Sequence, residues 1–201
     1  MSTDPTVLAQ VNDARSGTDI PPAPQEVGWS LTVQPAVSLE SVAVAYVIVL
    51  HSLAETLFEH TFLVGDDADS LASTRRRREI CAAVWAANHA ALETSNLSES
   101  ERARMNDLVW RRLQVHWQTF CGSTGEGSAW LARRASEYLD SQPRGNAIAV
   151  AAHIVRILFE AIGVKQDSFP GQSRVIASLI GHRIMSEVNH LNELKSKFRF
   201  V

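Results

Sequence analysis

Apolar side chains recur every three or four residues from Ser38 to the end of the chain, a spacing that places them on one face of an α-helix. The first such segment, Ser38–Leu63, contains no Gly, Pro or Asn. Its β-branched residues at 42–50 would also suit a strand, but the uninterrupted length favours a helix. The first half is apolar on all sides, so we expect this helix to be central and buried.

Five further segments show the same period and are bounded by caps or turn-forming residues. Ser98 and Glu101 form a capping box, Asn146 caps a later helix and Gly163 ends it. The predicted helices run from the acidic loop at 65–69 to about Leu92, from Ser98 to about Phe120, from about Ser128 to Leu139, from Asn146 to Ile162 and from about Gln172 to Lys195. Six helices joined by short loops predict an all-α bundle.

The N-terminal segment differs from the rest of the 201-residue chain. Residues 1–36 hold five prolines and no periodic apolar pattern, which predicts a flexible leader before one helical domain at 37–201. The leader lacks the basic start and apolar run of a signal peptide, although a secretion signal read by a receptor would escape this test. The longest charge-free apolar stretch, Ser41–Ala54, has 14 residues, whereas a bilayer span needs about 20. We therefore predict a soluble, cytoplasmic protein without a membrane partner.

Charge is distributed unevenly along the chain. The net charge is −3 and the pI is near 6.2, so no global field attracts nucleic acid. Residues 1–70 hold ten acidic and one basic side chain, residues 71–145 hold 11 basic and eight acidic, and residues 146–201 hold seven basic and four acidic. This asymmetry predicts either internal pairing or an acidic tail that screens a basic surface.

Four consecutive arginines, 75–78, raise the question of phosphate binding. Helical residues lie 100° apart, so only Arg75 and Arg78 share a face. Four acidic residues nearby, at 66, 67, 69 and 79, favour a solvated and self-neutralised helix start. The alternative is nucleic-acid association, although the chain has no zinc finger and no recognisable helix-turn-helix. The candidate residues for nucleic-acid binding are Arg75, Arg78, Arg111, Arg112, Arg133 and Arg134.

Two helices carry polar side chains at ligand spacing. His51 and Glu55 lie one turn apart on the first helix, and Glu187 and His190 have Glu-x-x-His spacing on the last. Together these four could form a metal or small-ligand site, but di-iron bundles use two Glu-x-x-His motifs and this chain has one. Glu187 falls on the apolar face of its helix and must be paired. We therefore predict a structural cluster of Arg183, Glu187 and His190.

The remaining motifs provide no catalytic residue and no cofactor site. Cys81 and Cys121 are interpreted as small buried side chains in a reducing compartment, with a disulfide left open because sequence does not give their separation. The Gly-rich loop at 122–127 has no preceding strand and no following Lys-Ser/Thr, which excludes a P-loop. No Gly-x-Ser-x-Gly motif marks a nucleophile.

These patterns favour a helical protein-interaction or regulatory module without chemistry of its own. The partner would be another protein or a second copy of the chain. The helix at Asn146–Ile162 is, like the first, apolar nearly all round, and a second chain could cover these two helices if the other four cannot. Tryptophan and arginine, which interfaces favour, are frequent in the second to fourth helices. Nucleic-acid association and metal or small-ligand binding are the alternatives.

Overall fold

Six α-helices and a short parallel β-ladder form the described part of the chain, residues 34–62, 70–121, 127–140 and 146–201, in a computed structural model. The elements are β1 (Ala36–Val37), α1 (Leu39–Phe62), α2 (Ser70–Thr94), α3 (Glu99–Cys121), α4 (Gly127–Leu139), α5 (Ala147–Ala161), a 3₁₀ turn (Gln166–Ser168), α6 (Pro170–Lys197) and β2 (Arg199–Phe200). The predicted all-α class is confirmed, and residues 42–50 are helical.

The predicted caps set the helix boundaries. At the start of α3, the Ser98 backbone N–H donates to Glu101 Oε2 at 2.8 Å, and the Glu101 N–H donates to Ser98 Oγ at 3.3 Å. At the start of α5, Asn146 Oδ1 accepts hydrogen bonds from the backbone of Ile148 at 2.9 Å and of Ala149 at 3.4 Å. Gly163, with φ of 76°, adopts the left-handed conformation that follows the end of α5.

The central helix of the bundle is α2, which packs against each of the other five helices. Residues 81–88 are all buried, and four of these eight are alanines whose small side chains let neighbouring helices approach closely. The expectation that α1 is the central helix is therefore wrong. Helix α1 packs against α2, α3 and α6 and keeps one side in contact with water.

The two ends of the folded unit meet in the β-ladder. Ala36 pairs with Arg199 and Val37 pairs with Phe200 in parallel register. The Arg199 N–H donates to the Pro35 carbonyl at 3.0 Å, so residues 34–36 belong to the folded unit instead of the predicted leader. The rest of that leader, residues 1–33, lies outside the described residues. The ladder places the start of α1 beside the end of α6.

Candidate functional site

Helices α1 and α3 lie side by side and run in the same direction. Arg112 lies in the second half of α3, and its guanidinium Nη2 is 2.6 Å from Oε1 of Glu40 at the start of α1. Further along, the rings of His51 and His116 are 5.5 Å apart, and beyond them Phe58 contacts Phe120 with ring centroids 6.1 Å apart. Residue numbers rise together along both helices, which defines the parallel arrangement.

The outer side of this helix pair exposes apolar side chains. Val44 is 41% exposed, Ile48 is 64% exposed and Val115 of α3 is 67% exposed. Val44 lies one turn after Glu40 on α1, Val115 lies about one turn after Arg112 on α3, and Glu40 pairs with Arg112 across the two helices. Single exposed apolar residues are ordinary, but three on adjacent helices form a patch. We call these three residues the α1–α3 patch.

No charged side chain interrupts the exposed face of α1 around this patch. The exposed positions between residues 41 and 54 are Ser41, Val44, Ala45, Ile48 and Ser52. Charged residues appear at the two ends of the face, where Glu40 pairs with Arg112 and Glu55 is exposed. An uncharged centre with a charged rim is the usual composition of a protein interface.

Helix α1 is also apolar enough, by length and composition alone, to cross a membrane. The segment Leu39–Thr61 is long and apolar enough because a membrane-spanning helix can include a few charged residues. The charge-free stretch of 14 residues, Ser41–Ala54, therefore underestimated the apolar length of this helix. In its most apolar window, 44% of the residues are buried inside the protein. Core helices of soluble proteins pass the same test, and the packing of α1 is compatible with a soluble protein.

The four residues of the predicted metal or small-ligand site do not converge. His51 Nε2 lies 3.5 Å from Glu55 Oε1, and the His51 ring faces α3. Glu187 lies on α6 and pairs with Arg183, while His190 is exposed. Among the residues that the structure describes, no three His, Cys, Asp or Glu side chains could hold one metal ion. The geometry therefore does not support this hypothesis, because the two pairs face different neighbours.

Glu187 forms a buried ion pair at the contact of α6 with α1. Its carboxylate is 1% exposed, and Oε1 accepts a hydrogen bond from Arg183 Nε at 2.5 Å. Burial raises the pKa of Glu187 to about 7, although the Arg183 guanidinium opposes the shift. The Tyr46 hydroxyl donates to the Glu187 backbone carbonyl at 3.1 Å, and His190 of the predicted cluster stacks on the Tyr46 ring.

Three of the six candidate nucleic-acid arginines form ion pairs within the protein. Arg111 Nη2 lies 2.8 Å from Asp107 Oδ2, one turn earlier on α3, and Arg112 pairs with Glu40. Arg134 pairs with Glu79 and with Glu137, as described next. Charges neutralised in this way contribute less to attraction of phosphate.

Arg134 and Glu79 join α4 to the central helix α2. Glu79 is 5% exposed and accepts from Arg134 Nε at 2.9 Å and from the Tyr138 hydroxyl at 3.0 Å. Glu137 also contacts the Arg134 guanidinium. Glu79 is therefore a buried structural acceptor, and the sequence interpretation of it as a solvated neutraliser of the arginine run is wrong.

Two of the other three candidate arginines, Arg75 and Arg78, line a shallow cavity between α2 and α4. The cavity has a volume of about 430 Å³ and is lined by Leu71, Thr74, Arg75, Arg78, Glu79 and Trp130. Arg75 is exposed, and the Arg78 guanidinium carbon lies 5.8 Å from the centre of the Trp130 ring. Arg133 is exposed one turn after Trp130. The acidic residues at 66, 67 and 69, expected to neutralise this region, lie outside the described residues.

Sequence reasoning missed Val115 and Arg77. Val115 interrupts the polar face of the third predicted helix, and this interruption was the available signal. The Arg77 guanidinium carbon lies 4.1 Å from the centre of the Phe58 ring and 4.9 Å from that of Phe120, a contact that depends on three helices meeting. No sequence pattern indicates such a meeting.

No protein-family model, no curated protein and no solved structure matches the chain. The candidate surface is therefore interpreted from its own geometry and chemistry.

Proposed function

We propose that the protein is a cytoplasmic, non-enzymatic interaction module whose partner is a second copy of the same chain, docked on the α1–α3 patch. The observation that carries this proposal is the charge-free exposed face of α1, continued on α3 by Val115. In a single chain these apolar side chains contact water, and association would remove them from it.

Charge repulsion would be weaker in an antiparallel than in a parallel pairing of the two copies of α1. Glu40 and Glu55 lie 15 residues apart, or about 22 Å along the helix, and Ile48 lies near the midpoint. A two-fold axis near Ile48 would bring Glu55 of one copy close to the Glu40–Arg112 ion pair of the other, in which the Arg112 cation limits the repulsion between the two carboxylates. A parallel pairing would instead oppose Glu55 with its own copy.

The helix pair is large enough for a stable interface. Helices of 24 and 23 residues are each about 35 Å long and about 10 Å wide, so together they offer a face of roughly 700 Å². Stable interfaces bury about 600 to 1,000 Å² on each partner, a range that includes this face. The small side chains of Ser41, Ala45 and Ser52 would allow the helix backbones to approach closely.

Size-exclusion chromatography with light scattering over a range of concentrations tests self-association. The wild type should form a dimer, and Ile48→Glu should be monomeric because the substitution places a charge at the centre of the interface. Ile148→Glu is the matched control, since Ile148 is 75% exposed on α5, away from the patch, and this variant should remain dimeric. Circular dichroism checks that both variants fold. A wild type that stays monomeric at high concentration, or an Ile48→Glu dimer as stable as the control, overturns the proposal.

Nucleic-acid association is the second candidate, supported by the cavity with Arg75, Arg78 and Trp130. Binding to generic DNA and RNA should weaken as salt rises, and Arg75→Ala with Arg78→Ala should reduce it. Arg111→Ala is the matched control, because Arg111 already pairs with Asp107. Absence of salt-sensitive binding by the wild type would remove this candidate.

A further inference from the structure

Two cysteines far apart in sequence meet where α2 passes the end of α3. Cys81 is buried in α2, and Cys121 is the last residue of α3 and is partly exposed. Their sulfur atoms are 3.1 Å apart, and both are free thiols. A disulfide bond is about 2.05 Å long, so a movement of about 1 Å would join them. The two side chains are already directed at each other.

Two arginines, Arg77 and Arg78, lie near the partly exposed member of this pair. Arg77 Nη1 donates to the carbonyl of Phe120, the residue before Cys121, at 3.3 Å. The pKa of the Cys121 thiol lies below its usual value because the Cys81 thiol donates a hydrogen bond to it, and Arg78 and Arg77 add to the shift. The C-terminal end of a helix carries partial negative charge and disfavours a thiolate. The positive charge of the arginines opposes this effect of the helix dipole. Burial raises the pKa of Cys81.

We propose that Cys81 and Cys121 are a redox site, at which a peroxide oxidises the two thiols to a reversible disulfide that ties α2 to the end of α3. Cys121 is the attacking sulfur because it is partly exposed and lies beside the arginines. Cys81 is the resolving sulfur because it is buried and already in contact with Cys121. This inference does not depend on the proposed self-association.

The chemistry has two steps and needs no other reactant. The Cys121 thiolate attacks one peroxide oxygen, the O–O bond breaks, and the leaving hydroxide takes up the proton that the thiol released. Cys121 is then a sulfenic acid. The Cys81 sulfur attacks the sulfenic sulfur, the S–O bond breaks, and the hydroxyl leaves with the Cys81 proton as water. The two sulfurs lose two electrons, and hydrogen peroxide becomes two molecules of water.

Treatment of the full-length protein with hydrogen peroxide tests the assignment. The wild type should lose both thiols together, and its intact mass should fall by two hydrogen atoms without any covalently linked dimer. Dithiothreitol should restore both thiols. In Cys81→Ser, Cys121 should accumulate as a sulfenic acid that dimedone traps, and in Cys121→Ser the buried Cys81 should keep its thiol. Surviving wild-type thiols under conditions that oxidise Cys121 in Cys81→Ser, or covalent dimers in place of the intramolecular bond, would overturn it.

A second pair of variants tests whether Arg77 acts as a positioning residue. Arg77→Ala should react more slowly with peroxide at neutral pH, and the pH at which the Cys121 thiol titrates should move upward. Arg77→Lys keeps the positive charge and should recover most of the wild-type rate and titration. Identical pH profiles for wild type and Arg77→Ala would show that the guanidinium does not support the thiolate.

Discussion

Replacing Glu187 with glutamine should stabilise the protein at alkaline pH and leave its stability nearly unchanged in acid. The wild-type carboxyl is 1% exposed and has a pKa of about 7, against 4.5 for an unperturbed glutamate. Each step of one in pKa corresponds to about 1.4 kcal/mol, so ionising Glu187 in the folded protein costs about 3 kcal/mol. The attraction of Arg183 is already contained in this pKa, so the cost is net of the ion pair.

The direction of this pH dependence of stability follows from proton binding. Between pH 4.5 and about 7, the folded state holds a proton on Glu187 that the unfolded state has released, so wild-type stability falls as pH rises through this window. Glutamine has the size of the protonated acid and does not titrate. The difference in free energy of unfolding between Glu187→Gln and wild type should therefore grow from near zero to about 3 kcal/mol in favour of the variant.

Urea unfolding of both proteins, at several values between about pH 5 and pH 8, measures this difference because other titrating groups are common to both. Glu193→Gln on the same helix is the matched control. The exposed Glu193 carboxyl has a pKa lowered by its hydrogen bond to Lys197, so it stays ionised over this range and the control should show no such growth. A difference between Glu187→Gln and wild type that is constant with pH would refute the assignment of a buried, costly carboxylate.

Other substitutions test the remaining contacts. Arg134→Ala should lower the free energy of unfolding by about 3 kcal/mol, because it leaves the buried Glu79 carboxylate without its cation. Removal of the exposed neighbour Arg133 should have little effect. Equal losses of stability for the two variants in chemical denaturation would contradict this prediction. Ser98→Ala should cost about 1 kcal/mol in the same assay, since it removes the capping hydroxyl of α3, and an unchanged midpoint would contradict the capping role.

The helices could be predicted from sequence because their signals are local. The capping box at Ser98 and the cap at Asn146 depend on residues within one turn, and both are present in the structure. The two-residue strands at the termini carry no periodic signal, so the ladder was not predicted. The central position of α2 was missed because alanine is only weakly apolar. Residues 81–88 are buried through close helix packing, which depends on several helices at once.

The candidate sites depended even more on tertiary structure. Arg133 and Arg134 are adjacent, and no sequence pattern distinguishes their roles. In the structure, however, Arg133 is exposed, whereas Arg134 joins α4 to α2. Helical periodicity gives the face of each residue only relative to its own helix. Packing decides which neighbouring helix that face contacts. Sequence alone therefore did not show which arginines form ion pairs, or that the His51 ring contacts α3.

The apolar character of the first half of α1 connects the fold to the proposed function. A helix buried on every side needs neighbours all around it, and α1 packs extensively against α2 and α3 and more lightly against α6. The central position is occupied by the alanine-rich α2, so α1 is displaced to the periphery while keeping apolar residues such as Ile48 on its free side. For folding of one chain alone, polar residues would serve at these exposed positions equally well, since surface positions tolerate them. The apolar side chains at Val44, Ile48 and Val115 therefore suit association better than they suit solvent, and in the proposed dimer a second copy would be the missing neighbour.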